Sequence, residues 1–195
     1  DSKPRPSGER GLQLSPLSQY GFLAIEGPDC SKFLQGQTTC DWRAISTEQA
    51  SLGSYCNIKG RMVISFIAGM ASPEAALLRL HADTADSGRD TLGKYIVFSK
   101  AKIRNASDER VAIWGLCEHA ISIWQQLSPT ADICGADYWE ALNIAAGIGE
   151  VCASSQDMFI PQMLNYQVIG GVSFSKGCYT GQEVIARLHY LGKLK

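Results

Sequence analysis

One cysteine of this chain stands close to a lysine and just ahead of a strongly predicted helix. Residues 176–183 read KGCYTGQE. Thr180 and Glu183 have the spacing of a capping box, in which each side chain satisfies a backbone N–H at the start of a helix. Cys178 would then lie near the positive end of the helix dipole, with Lys176 close by, and both influences favour the thiolate over the thiol. The pattern predicts a reactive cysteine, although a lone cysteine at such a place more often serves packing.

A second set of polar side chains follows a short predicted helix near the other end of the chain. Gln35, Gln37, Thr38 and Asp41 lie within seven positions. Carboxylates and amides can pair with the planar edge of a heterocycle such as a pterin, which presents several donors and acceptors. The alternative is a polar turn whose side chains bond only to the local backbone.

Two cations and two aromatic residues are the remaining candidates for binding. Lys59 and Arg61 flank a glycine in a predicted turn, where they could meet carboxylates or simply face solvent. Tyr20 and Trp139 could stack on a flat ring, and the alternative for both is packing in the core.

A thiol hydrolase would need a general base beside Cys178. His189 lies about three turns along the following helix, about 15 Å away at the α-helical rise, which is too far for a hydrogen bond. His81 and His119 stay open as candidates. No clear acid–base set emerges, so enzyme activity is left undecided.

The predicted elements that must position these residues include both strands and helices. Residues 1–11 are polar and indicate a tail. Strands are predicted at 20–26, 54–58, 62–68, 76–81, 99–104, 110–116 and 172–174. Helices are predicted at 29–36, 84–95, 118–127 (Ile121 and Trp124 inward), 139–146 and from Thr180 to a stop at Gly192. The order is not a regular alternation of strand and helix, which favours an α+β fold with antiparallel sheet.

Composition narrows the class of protein. The 195 residues are 45% hydrophobic and 19% charged, with a formal net charge of −1, as in ordinary folded proteins. No apolar run is long enough to span a membrane, so we expect no membrane span. The chain has no surplus of basic residues, so we expect no direct binding of nucleic acid. No secretory signal is visible, so we expect a cytoplasmic location. Seven cysteines without a CxxC pair do not match a zinc or iron–sulfur ligand pattern, and no metal site is predicted.

Several blocks together carry a family resemblance. They are KGCYTGQE with the preceding GGVSFS and the following VIAR, EGPDCSKFLQGQTTCD at 26–41, KGR at 59–61, KYIVFSK at 94–100, WEALNIAAG at 139–147 and FIPQ at 159–162. In this order, from about residue 17 to 195, the chain resembles the YgfZ family of folate-binding proteins. That family is related to the aminomethyltransferase T-protein of the glycine cleavage system.

The resemblance implies a T-protein-like fold, with domains arranged around a central opening. We expect residues 12–60 with 138–195 to form a folate-binding core, 61–137 to form an inserted α+β domain, and the family's small C-terminal β-barrel to be absent from this chain. The implied cofactor is tetrahydrofolate or a related reduced folate. Its implied contacts are Tyr20, Gln37, Thr38, Asp41, Lys59, Arg61, Trp139, Tyr179, Gln182 and Glu183, with Lys176 and Cys178 as the chemical groups.

The implied role is assembly or repair of iron–sulfur enzymes, including those that modify tRNA, with iron–sulfur assembly or client proteins as partners. A tetrahydrofolate-dependent aminomethyltransferase is the alternative, and Asp41 is its one obvious acidic candidate. A scaffold for another protein, with 176–183 as the contact surface, is a third class.

Overall fold

A five-stranded antiparallel sheet forms the centre of the protein. The computed structural model describes residues 12–107 and 117–192, without the side chains of 117–120. The strands are β1 (Gln13–Leu14), β2 (Tyr20–Glu26), β3 (Ser51–Cys56), β4 (Met62–Ser72), β5 (Ala75–His81), β6 (Lys102–Asn105) and β7 (Asp132–Ile133). The main sheet has the order β3-β4-β5-β2-β6, and β1 pairs with β7 in a small parallel sheet. The predicted α+β class with antiparallel sheet is confirmed.

In the described part of the chain, five α-helices and several short 3-10 turns accompany the strands. The helices are α1 (Cys30–Gln37), α2 (Ala85–Ile96), α3 (Cys117–Leu127), α4 (Ala136–Ala145) and α5 (Gln182–Leu191). The 3-10 turns are Trp42–Ala44, Ala82–Thr84, Ala153–Ser155 and Pro161–Leu164. None of the described helices is long and apolar enough to cross a bilayer.

The two faces of the sheet carry different cores, because successive side chains of a strand point to opposite faces. On one face, Leu23 and Leu78 pack with residues of α1 and α2, such as Leu34 and Leu92. On the other face, Phe22 pairs in register with Arg79, so a charged side chain lies among apolar ones.

A second core joins the end of β3 to the C-terminal part of the chain. Its buried members are Cys56, Met62, Val151, Tyr166, Val172, Tyr179 and Ile185. This core is what brings the 176–183 stretch against the main sheet.

Most predicted elements are present, and several local details were wrong. The strand at 20–26 is observed with those bounds, and the helix before Gly192 ends there. Ile121 is 59% exposed instead of inward. Residues 172–174 form an irregular segment instead of a strand. The strand predicted at 110–116 lies outside the described residues.

The first helix also differs from its prediction. It continues through Gly36 to Gln37, and Thr38 is its C-cap. Asp29 precedes the helix, but its carboxylate accepts a hydrogen bond from the backbone N–H of Lys100 instead of capping the first turn. The domain division stays a prediction, although the sheet crosses its boundary after residue 60.

Candidate functional site

A buried lysine docks residues 176–181, here called the signature loop, onto the C-terminal end of α1. The Lys176 Nζ donates to the carbonyl oxygens of Thr38 at 2.6 Å and Cys40 at 2.8 Å. The residue is only 5% exposed, and this burial lowers the pKa of the Lys176 ammonium to about 8. Lys176 was predicted to activate Cys178, but its ammonium is engaged by these two carbonyls.

Further hydrogen bonds join the same two segments. The Thr180 hydroxyl donates to Gln37 Oε1 at 3.1 Å. Just before the loop, the Ser173 backbone N–H donates to the Thr39 carbonyl at 2.9 Å, and the Thr39 hydroxyl donates to the Gly171 carbonyl at 2.6 Å. The signature loop and the segment after α1 therefore form one continuous surface.

The predicted capping box at Thr180 and Glu183 was wrong. The N-cap of α5 is Gly181, and it makes no side-chain capping bond. Thr180 bonds to Gln37 instead, and Glu183 forms an ion pair with Arg187 one turn later at 3.0 Å. A tertiary partner and a surface pair have replaced the local capping contacts.

The signature loop also packs closely against the turn between β3 and β4. Gly181 has φ of +81°, and a Cβ atom there would lie 2.4 Å from the Asn57 carbonyl oxygen. Gly60, in the turn itself, has φ of +70° and faces Val184 of α5. Only glycine accepts both this backbone conformation and this approach without strain.

An open cleft of about 560 Å³ lies at this turn, lined by Asn57, Ile58, Lys59, Arg61 and Asp157. The Asn57 Oδ1 accepts the backbone N–H groups of Lys59 at 2.8 Å and Arg61 at 3.1 Å. The Arg61 guanidinium donates to the Met158 carbonyl. These two bonds to the Asn57 side chain fix the backbone of the turn. The positions from which Lys59 and Arg61 line the cleft are therefore fixed as well.

The thiols differ strongly in accessibility. Cys178 is exposed, whereas Cys30, Cys40 and Cys56 are buried. Burial raises the pKa of the Cys56 thiol to about 12 and also raises that of Cys40. Cys152 is half-buried, and hydrogen bonds from the Ser154 and Ser155 hydroxyls lower the pKa of its thiol.

Several predicted site residues use their polar groups inside the protein. The Thr38 hydroxyl donates to the Leu34 carbonyl and accepts from Trp42 Nε1, each at 2.8 Å. The carboxylate of Asp41 is held by Arg43, which lowers its pKa well below the usual range. On the loop side, Tyr179 is buried in the second core. The backbone N–H of Tyr179 donates to Gln182 Oε1 at 3.3 Å.

Tyr20 and Trp139 belong to a separate group, which also contains Arg79, Asn143 and Glu150; we call it the Tyr20 group. The Tyr20 hydroxyl donates to Glu150 Oε2, and burial followed by this carboxylate raises the Tyr20 pKa to about 12. The Trp139 indole N–H is buried near this hydroxyl without a well-formed hydrogen bond. Gln37 and the signature loop thus lie together, and Trp139 lies with Tyr20.

The sequence reasoning missed three members of this group. Arg79 had a signal, because it is the one charged residue in the apolar strand AALLRLH. Asn143 and Glu150 had none, since their partner Tyr20 lies more than 120 residues away in the chain.

Two of the three histidines contact other side chains. The His189 ring stacks on Phe174 with ring centroids 3.7 Å apart. His81 Nδ1 lies 2.6 Å from Asp83 Oδ1. The side chain of His119 lies outside the described residues. These contacts give no support to a thiol hydrolase.

Comparison with known proteins agrees with the motifs. No family model matches the chain. The tRNA-modifying protein YgfZ of Photorhabdus laumondii is 30% identical over 98% of this chain and 71% of its own length. That of Colwellia psychrerythraea is 31% identical over 93% of this chain and 69% of its own length.

Among solved structures, the glycine cleavage aminomethyltransferase T of Bartonella henselae matches with a TM-score of 0.46 at 18% identity. The match covers 49% of this chain and 27% of that one. The two curated relatives are matched over more than two thirds of their length at 30% identity or more, and the chain therefore belongs to the YgfZ family.

Proposed function

We propose that this protein binds a reduced folate, tetrahydrofolate or a close relative, and supports the assembly or repair of iron–sulfur enzymes, including those that modify tRNA. The observation that carries the proposal is the docked signature loop. Lys176 fixes the loop to the segment after α1 while Cys178 stays exposed. Curated relatives bear the name tRNA-modifying protein, which agrees with the second half of the proposal.

The described residues are chemically suited to a folate. Trp139, near the Tyr20 hydroxyl, offers aromatic surface for a flat heterocycle, whereas the Tyr20 ring itself is buried under Arg79. The buried N–H groups of Trp139 Nε1 and Arg79 Nε have no hydrogen-bond partner in the described part of the chain, and buried donors normally pair with an acceptor. Lys59 and Arg61 offer positive charge to the carboxylates of a folate tail. Gln37, Thr38, Asp41, Tyr179, Gln182 and Glu183 shape the loop side of the site in this proposal.

We propose that Cys178 is the group that either reacts as a thiol or contacts the partner protein. An exposed thiol on a rigidly held loop is accessible to another protein's cluster or cysteine. The partners would be iron–sulfur assembly or client proteins. With a net charge of −1, the protein has no general electrostatic attraction for tRNA, so its effect on tRNA would be indirect.

The aminomethyltransferase alternative receives no comparable support. It requires an acidic group available near the reactive folate nitrogen, and Asp41 was its candidate. The Asp41 carboxylate accepts bonds from Arg43 Nε at 2.9 Å and from Gln35 Nε2 at 3.0 Å. We therefore do not propose that activity.

Binding of tetrahydrofolate can be measured by calorimetry and thermal shift. At 100 times the Kd, binding to the folded state stabilises it by about 2.7 kcal/mol. In a chain of this size that raises Tm by about 5–10 °C. No heat of binding and no rise in Tm at saturating tetrahydrofolate would contradict the folate half of the proposal.

The cysteine half is tested in a strain whose own copy is deleted. Cys178→Ala should keep the wild-type Tm, because the exposed thiol supports no core packing, and should lose iron–sulfur enzyme activity and tRNA thiolation. Cys134→Ala, at a half-buried cysteine that directly follows β7, is the control and should restore both. A stable and fully functional Cys178→Ala variant would refute a role for this thiol.

A further inference from the structure

A buried arginine and a carboxylate lie together on the sheet face opposite α1 and α2. Arg79 is on β5, and its side chain is only 7% exposed. Its guanidinium carbon lies 4.0 Å from the centroid of the Tyr20 ring. Its Nη2 is 3.5 Å from Glu150 Oε1, a long ion pair.

Glu150 is held mainly through one of its two oxygens. Oε2 accepts from the Tyr20 hydroxyl and from Asn143 Nδ2, the latter at 3.2 Å. Among the described residues, Oε1 has only the long contact to Arg79, and the side chain is 23% exposed. The carboxylate therefore keeps acceptor capacity, since an ionised carboxylate has about four lone-pair sites.

Two donors beside this carboxylate are buried and unpaired. Neither Arg79 Nε nor Trp139 Nε1 has a hydrogen-bond partner among the described residues. Both donors lie beside Tyr20: the Arg79 guanidinium covers the Tyr20 ring, and Trp139 lies near the Tyr20 hydroxyl. Unpaired buried donors next to a carboxylate with spare acceptor capacity match a ligand that presents both donors and an acceptor on one edge.

We propose that Glu150 and Arg79 recognise the pterin ring of the reduced folate; this inference rests on the function proposed above. A pterin edge carries an N–H, an adjacent amino group and a ring carbonyl side by side. The two donors suit the Glu150 carboxylate, and the carbonyl suits Arg79 Nε or Trp139 Nε1. Charge-assisted bonds of this kind are the strong ones and discriminate by geometry.

The placement of α4 agrees with a ligand at this position. No residue of α4 is buried, and Asn143 bonds α4 to the Tyr20 hydroxyl at 3.0 Å. A helix without a buried residue can shift to admit a ring at less cost than one packed into a core.

The test compares Glu150→Gln with Glu140→Gln by calorimetry. Glu140 is an exposed carboxylate of α4, so its replacement makes the same charge change on the neighbouring surface. The probes are tetrahydrofolate and 6-methyltetrahydropterin, which has the ring without the tail. Glu150→Gln should weaken both probes about 10- to 100-fold, as expected for loss of a charge-assisted pair, and Glu140→Gln should leave both within about twofold.

Equal affinity of Glu150→Gln and wild type for both probes would overturn the inference while leaving folate binding intact. Failure of the wild type to bind either probe would instead overturn the proposed function and this inference with it. A loss for tetrahydrofolate but not for the tail-less ring would also overturn it, because Glu150 would then serve the tail.

Hydrogen exchange of the wild-type protein decides the matter if Glu150→Gln does not fold. Saturating tetrahydrofolate should slow exchange in peptides covering residues 136–153, which contain Trp139, Asn143 and Glu150. Protection confined to the signature loop, with none at 136–153, would refute recognition by the Tyr20 group.

Discussion

Replacing Lys176 by methionine tests whether a buried ammonium holds the signature loop. Methionine keeps much of the length and removes the donor, so the Thr38 and Cys40 carbonyls lose bonds of 2.6 Å and 2.8 Å. Leaving a buried acceptor unpaired costs about 1–3 kcal/mol, and part of that loss is offset because the ammonium no longer has to be desolvated. We expect Lys176→Met to lower the free energy of unfolding by about 2 kcal/mol at pH 7.

The pH dependence has a definite sign. Burial lowers the folded-state pKa of Lys176 from 10.5 to about 8, so between these values the unfolded chain holds more protons than the folded one. Wild-type stability from this group therefore rises with pH across that window, and methionine does not titrate. The deficit of Lys176→Met should be larger by about 1 kcal/mol at pH 9 than at pH 7.

Urea unfolding of both proteins at the two pH values measures this difference. Lys94→Met, at an exposed lysine of α2, is the control and should change stability by less than about 0.5 kcal/mol at either pH. A Lys176→Met deficit that shrinks toward pH 9 would refute the reasoning, because it would mean that the folded state prefers the charged amine.

Two further results are expected from the geometry of the signature loop. Limited alkylation with iodoacetamide and peptide mapping should label Cys178 first and Cys152 second, since one is exposed and the other has a lowered pKa; faster labelling of the three buried cysteines would contradict this order. Gly181→Ala should lower the free energy of unfolding by about 2 kcal/mol or more, because of the positive φ and the 2.4 Å approach to the Asn57 carbonyl. Gly177→Ala, with no atom within 4 Å of the added Cβ, should stay within about 0.5 kcal/mol of wild type, and equal losses in the two variants would refute the close-approach argument.

The strands were predictable because their signal is local. The run at 20–26 has apolar residues and a following turn, and the structure places β2 at those residues. The class of fold followed from the order of such runs. The helix at 182–191 was likewise visible from its apolar spacing, and Gly192 ends it.

The errors arose where a distant residue competes with a local one. Thr180 and Glu183 have the spacing of a capping box, but the Thr180 hydroxyl donates to Gln37, which is 143 residues away. The role of Lys176 beside the thiol stays a prediction, but its bonds to the Thr38 and Cys40 carbonyls were not predictable, since only the tertiary structure brings these carbonyls to its amine. Local spacing in a sequence does not show whether a distant residue will provide a better hydrogen-bond partner.

Tyr166 connects the two parts of the proposed site. It is fully buried, its hydroxyl donates to the Gly149 carbonyl at 2.7 Å, and its own carbonyl accepts from Gly171 N–H at 2.7 Å. Gly149 directly precedes Glu150, and Gly171 begins the segment that leads into the signature loop. One buried residue therefore holds the backbone that leads into both the proposed pterin contact and the signature loop.

This connection separates the variants by what they can disturb. Lys176→Met removes a contact of the signature loop alone, and Glu150→Gln removes a contact of the Tyr20 group alone. The second core, which contains Tyr166, is unchanged in both variants. Affinity for the pterin ring should therefore fall most in Glu150→Gln, and the presentation of the Cys178 thiol should change only in Lys176→Met. If Glu150→Gln instead changed the alkylation rate of Cys178 as much as Lys176→Met does, the Tyr20 group could not be a distinct half of the site.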